Sequence, residues 1–263
     1  MVYESDIRGK SVVNLMIGNV DNPSCTLLAN SIVVDKFNTA VSIQVLSDFI
    51  ATMQIRRENF ILLITDAASY FTSEESRRIL QLLFPKLTHI NCMAHLLHNC
   101  CANIKDYYKR CDNLIASMKA LTVRSKKRKH LFSAIGQPPK PVVTRWGEWL
   151  NAINYYIQNF NDVKNIVMGI EDTGMIVDNA KKSVQNQRVY LDLVEISANY
   201  SQLTSLLKEI QSKNAKIEEF YPKLRSLEFT SDPTRIKSYL NERLDNNPVS
   251  SLFQENDKYS GWS

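Results

Sequence analysis

Apolar positions along the chain follow two periods, and the change from one to the other divides it. Ser11 to Gly18 and Thr26 to Val34 are short runs of β-branched and apolar residues, separated by the turn cluster Asp21-Asn22-Pro23-Ser24. They predict an antiparallel pair of strands. Val41, Val45, Phe49 and Met53 then recur at helical spacing behind Asn38-Thr39, a cap-like dipeptide, and predict a helix. Asn59 to Thr65 is an apolar run too short for a typical helix and reads as a buried strand ending at Asp66. A helix from about Thr72 to Leu83, stopped at Pro85, leads to a short strand over Leu87 to Asn91.

From Met93 the period is helical. One helix is predicted from Met93 to about Leu121. The basic segment that follows and Gln137-Pro138-Pro139-Lys140-Pro141 read as a connector, because three prolines in four residues remove amide donors and favour extended chain. Beyond it Trp146, Trp149 or Leu150, Ile153, Tyr156 or Ile157, Phe160 and Val163 mark one apolar face. Ile196, Tyr200, Leu203, Leu207 and Ile210 mark another. Shorter helical patterns cover Ile217 to Leu227 and Pro233 to Leu244, with Ser231 or Asp232 placed to cap the second. The expected class is α/β, with a mixed sheet and helices in residues 1–140 and an all-helical region in residues 141–263.

Composition narrows the class. Only 7 Gly and 8 Pro leave little material for a turn-rich β-sandwich. No apolar stretch approaches the length of a membrane span, and Met1 to Lys10 lacks an apolar leader core, so the reading is an intracellular protein with no membrane partner. Five cysteines, with Cys100 and Cys101 adjacent, do not form the pattern of a secreted disulfide framework, and reduced thiols are expected.

Charge changes the picture more. Lys119, Arg124, Lys126, Lys127, Arg128, Lys129, Lys140 and Arg145 lie between Asn113 and Gly147 with no acidic residue among them, which leaves −3 for the remainder of a +5 chain. Such a block suits phosphate neutralisation with counterion release. A solvated loop is the plainer reading. Lys126 to Lys129 also has the composition of a nuclear-import signal, so the expected location is the nucleus, otherwise the cytoplasm.

Three groups of residues carry candidate chemistry. Asp66, at the carboxyl end of a strand, stands where α/β sheets place ligands, although an Asp there also caps a following helix. Cys92, His95, His98, Cys100 and Cys101 are zinc-ligand types, but four positions on one helix cannot converge tetrahedrally on one ion, and no metal is expected there. Trp146 and Trp149 suit a helical core, while Arg145-Trp146 beside a basic connector also suits stacking on an exposed base.

Taken in order, Ile7-Arg8-Gly9-Lys10 with Val12 to Gly18, Leu62 to Ala67, Phe84 to Ile90 leading into Cys92-Met93-Ala94-His95, Thr144-Arg145-Trp146, and Ala198-Asn199-Tyr200 resemble hAT-superfamily transposases and their host-domesticated relatives. The resemblance covers most of the chain. It implies a ribonuclease H-like core up to about Lys140 and, after Trp146, the helical insertion domain that splits such cores. It further implies a site where three carboxylates hold two Mg²⁺ or Mn²⁺ ions for DNA strand cleavage and transfer. Asp66 matches the second carboxylate, Cys92 and His95 match a C-x-x-H element near the site, with His95 as an accessory residue, and Trp146 matches a tryptophan that stacks on a flipped base.

The departures from that pattern matter equally. Val2 stands where the first catalytic Asp is expected, Glu4 and Asp6 follow no apolar strand, and no residue matches the third carboxylate, since Glu255-Asn256-Asp257 lies in a polar tail. The expectation is therefore a fragment truncated at both ends that has lost transposase activity and has no cofactor. It would retain weak, non-specific DNA binding through Arg124, Lys126, Lys127, Arg128, Lys129, Arg145 and Trp146, or binding to transposase-like proteins as a homo- or hetero-oligomer. Two alternatives stand beside it. One is an active metal-dependent nuclease or transposase with a recruited carboxylate such as Asp6, and the other is an interaction module for a full-length transposase.

Overall fold

A computed structural model describes residues 2–5, 11–19, 22–66, 68–123, 125–142, 146–212 and 215–250. The chain is mixed α/β and mostly helical, and it divides into two compact units, residues 1–96 with 242–263 and residues 97–241. The break expected after residue 140 falls inside the second unit. Contacts explain the difference: the helix ahead of the proline connector packs on helices that follow it, so the helical unit begins well before the change in composition.

In the first unit, β1 (Val2–Ser5), β2 (Ser11–Asn19) and β3 (Asn22–Val34) form an antiparallel sheet in that order. The β2–β3 pair is the expected one, with Val12 opposite Val33 and irregularities at Leu15/Met16 and Gly18/Asn19. Strand β1 is a correction to the sequence reading. Its mixed polarity gives no strand pattern, and it arises from backbone pairing on the edge of β2, Val2 opposite Asn14 through Ser5 opposite Ser11. α1 (Thr39–Thr52) starts where predicted, with Asn38 Oδ1 accepting from the Val41 N–H at 3.0 Å. Its buried Val45, Leu46, Phe49 and Ile50 share one core with Val13 and Leu15 of the sheet.

β4 (Leu62–Thr65) and β5 (Thr88–Asn91) pair in parallel, Leu62 opposite Thr88 and Thr65 opposite Asn91. Between them run α2 (Ser69–Thr72) and α3 (Glu74–Leu83), the latter capped by Ser73 Oγ. β4 is shorter than the expected 59–65 strand and is not buried on both faces. Leu63 and Thr65 point inward, whereas Leu62 and Ile64 are 40% and 44% exposed, so an apolar run that reads as two-sided alternates in fact. Asn247 closes β5: its Nδ2 donates to Asn91 O at 3.0 Å and its Oδ1 accepts from the Asn91 N–H at 3.3 Å.

α4 (Met93–Tyr107) and α5 (Lys109–Val123) replace the single helix expected over 93–121. The break is at Tyr108, which is fully buried and whose ring lies 6.5 Å from that of Tyr200. A large buried aromatic thus stands at the break between the two helices. α6 (Lys126–His130) follows, and then the extended proline stretch as expected.

The second unit continues with α7 (Trp146–Met168), α8 (Met175–Gln185), α9 (Gln187–Ile210), α10 (Ile217–Arg225) and α11 (Ile236–Asp245), the last of which runs on past residue 241. The predicted faces are buried: Trp149, Ile153, Tyr156, Phe160 and Val163 on α7, and Ile196, Tyr200, Leu203 and Leu207 on α9. α5 packs on α8 and α9, and α7 packs on α9. Asp192, nearly buried on α9, receives a two-pronged hydrogen bond from Arg110 at 2.7 and 3.0 Å. Helix α8 has no counterpart in the sequence reading. Its buried Val177, Ala180 and Val184 give too narrow and weak a stripe to stand out beside exposed Met175.

Candidate functional site

Asp66 follows β4 directly, at the carboxyl end of a parallel strand pair. The pairing continues one step beyond the strands, since the Cys92 N–H donates to Thr65 O at 2.7 Å. The end of β4 and the start of α4 are thereby adjacent, and Asp66 leaves the strand at that end. Asp66 is half-buried. His95, one turn into α4, is exposed, and Cys92 is half-buried between β5 and that helix.

A side-chain chain holds this end of the strand. Thr65, 1% exposed, donates its hydroxyl to Asp66 O at 2.8 Å and lies 2.8 Å from His89 Nε2. A hydroxyl has one proton, here committed to the Asp66 carbonyl, so it accepts from a protonated Nε2 and fixes that tautomer of His89. Burial, reinforced by the nearby Arg77 guanidinium, lowers the His89 pKa to about 4 and keeps the ring neutral near pH 7. No sequence pattern singles out Thr65 or His89, because their relation exists only through the β4–β5 register.

The two-ion site that the resemblance implies needs several carboxylates gathered around Asp66. Among the described residues Asp66 belongs to no group of three or more His, Cys, Asp or Glu side chains able to hold a metal ion. A single carboxylate does not fit a two-ion centre. Glu4 lies in β1 opposite Val12, and Asp6 lies outside the described residues. Among the described residues the cysteines of the zinc-like cluster belong to no group of three or more metal-ligand side chains either. Cys100 and Cys101 are wholly buried, and burial raises both thiols, Cys101 to about 12, whereas a metal takes the thiolate.

In the second unit the basic segment is ordered as a short helix. Ser125 Oγ accepts from the Arg128 N–H at 3.2 Å and sets the start of α6. Lys126, Lys127 and Lys129 are exposed and make no ion pair among the described residues. Arg128 differs: its Nε bonds Asp172 Oδ2 at 3.1 Å. Lys119 is turned to the Pro141 carbonyl at 3.4 Å, and Lys140 is exposed. The block is thus not eight equivalent charges. Arg124 and Arg145 lie outside the described residues, as does the Trp146 side chain. Trp149 belongs to the core, 3% exposed with its Nε1 donating to Asp112 at 3.2 Å.

Compared with models of known protein families and with curated proteins, the chain matches none. No helix among the described residues is long and apolar enough to cross a membrane.

Proposed function

We propose that this chain is derived from a hAT-type transposase, as a partial ribonuclease H-like core followed by insertion-domain-like helices, and that it binds DNA non-specifically without cleaving it. One observation carries the binding reading: Lys126, Lys127 and Lys129 stand exposed on α6 with no ion pair among the described residues. Unpaired lysines on a short helix are ready to displace counterions from phosphate. The mixed α/β architecture and the place of Asp66 at the end of a parallel strand support the derivation from such a core. Catalytic silence rests on the lone carboxylate, since in-line displacement by two metals needs several carboxylates to hold the ions. On this reading the chain acts in the nucleus, where the Lys126 to Lys129 run would also serve import.

The test pairs binding with cleavage. The purified chain is expected to retard duplex, hairpin and nicked DNA at low salt and to leave all three intact with Mg²⁺ or Mn²⁺. Metal-dependent nicking that co-purifies with the chain and disappears in Asp66→Asn would overturn the silence and favour the active-enzyme alternative. Absence of binding at low salt would overturn the remaining function.

A further inference from the structure

The buried side of α9 is legible from its sequence, but its opposite side carries a second pattern. Gln187, Leu191, Val194, Ala198, Ser201 and Ser205 are all exposed and follow one another at alternating steps of four and three. That is the spacing of a helix seam that packs on a second helix. The stripe holds no charge, Leu191 is 65% exposed and Val194 is 42% exposed. Tyr190, at its edge, is 42% exposed with its ring 5.1 Å from that of Phe160.

Charges beside the stripe decide what covers it. Arg188 is exposed and makes no ion pair among the described residues. Glu195, half-buried, accepts a long hydrogen bond from the Ser231 hydroxyl at 3.4 Å and also interacts with the Tyr108 hydroxyl. If a second α9 lies antiparallel with Leu191 of each copy against Val194 of the other, Gln187 falls opposite Ala198. The flanking positions then bring Arg188 of each copy to Glu195 of the other, twice, around one two-fold axis. Parallel pairing sets Tyr190 beside Glu195 and Ser197 beside Gln202, with no ion pair. The face is therefore self-complementary in one orientation only.

We infer that α9 is a homodimer interface: two copies of this chain pair antiparallel through Leu191, Val194 and Ala198, with Arg188–Glu195 ion pairs at each flank. Neither the transposase derivation nor DNA binding is needed for this pairing. A seam of three turns lies at the small end of protein interfaces, so the association is reversible and concentration-dependent.

Sedimentation equilibrium of the full chain tests it. Dimer is expected to accumulate as concentration rises, Arg188→Glu to weaken dimerisation at least tenfold, and Arg188→Glu with Glu195→Arg to restore it. Because Arg188 is exposed, its variant keeps the circular dichroism melt of the parent. Mixing Leu191→Cys chains with Val194→Cys chains should give an interchain disulfide in higher yield than either variant alone. A chain that stays monomeric throughout, a dimer indifferent to Arg188→Glu, failure of the charge swap to rescue, or preferential self-crosslinking of Leu191→Cys would each overturn the inference.

Discussion

Replacing Lys126, Lys127 and Lys129 together by Ala isolates the charges that α6 leaves unpaired. If each meets one phosphate, the slope of log affinity against log salt should flatten by about 2.7, which between about 50 and 200 mM salt changes the loss of affinity by about 40-fold. Arg128 provides the internal control. Its guanidinium is held by Asp172, and engaging a phosphate would leave that carboxylate near the DNA, so Arg128→Ala should flatten the slope by less than any one of the lysines. Freeing it by Asp172→Asn should steepen the slope by about 0.9, one added phosphate contact.

Fluorescence anisotropy with a labelled duplex, titrated at several salt concentrations, reads the parent, these variants and the single-lysine variants on one scale. The duplex sequence should be immaterial, because phosphate contacts carry no base information. An unchanged slope in the triple variant would refute the argument and make α6 a solvated surface. An Arg128→Ala effect equal to that of a lysine would refute the role given to Asp172. The comparison depends on charge availability and not on net charge, since Arg128→Ala and loss of one lysine lower the total equally yet should differ in slope.

Two stability predictions follow from half-buried titratable groups. Asp232 accepts from the N–H groups of Ile236 and Lys237, from Thr234 and from Tyr200, so Asp232→Ala should lower stability in urea by about 2–3 kcal/mol, a lost cap plus a lost charge-assisted bond. Burial pushes its carboxyl upward, but the Lys237 and Ile236 amides and the two hydroxyls outweigh that and hold it below the usual carboxylate range. Its contribution should be full above the unfolded value and disappear as pH falls through the folded one, a step absent from melts of Asp232→Asn. His89, whose pKa falls to about 4, binds its proton less readily in the fold, so stability is fully present above about pH 6.5 and is lost as pH falls towards 4, by up to about 3 kcal/mol. Urea melts across that window should show the loss in the parent and not in His89→Gln, and a pH-independent parent would refute the buried neutral ring.

Elements whose signal is local were legible in the sequence. Asn38 was readable as a cap, and Asp232 as one of two candidates with Ser231 although α11 starts at Ile236 and not at Pro233, because a cap needs one short polar side chain next to an apolar period. The faces of α7 and α9 were readable because their large apolar residues keep helical spacing over several turns. Pairing-dependent features were not. β1 exists through the edge of β2, and the 93–121 helix breaks at Tyr108, whose burial in the core is a matter of tertiary packing that no window of sequence contains. Charge was legible in amount and not in availability: Arg128 and Lys129 are neighbours in one basic run, yet only Arg128 meets an acid forty-four positions away.

The same limit applies at Asp66, with more consequence. Its place at a strand end follows from the apolar run before it, and that strand pairs in parallel with β5. What the run conceals is that the inward residue next to it is Thr65, with a hydroxyl that links the Asp66 carbonyl to His89 across the pair. A buried hydroxyl between those two groups is costly unless both partners are kept, so Thr65 and His89 constrain one another and the backbone of Asp66 together. The carboxylate itself takes no described part in that chain. The strand end is therefore held by groups that stabilise the fold, and its geometry can persist without the carboxylate doing any chemistry. An ordered strand pair around Asp66 is for this reason compatible with the proposed absence of cleavage as well as with activity, and the metal-dependent assay must decide between them and not the intactness of the strand.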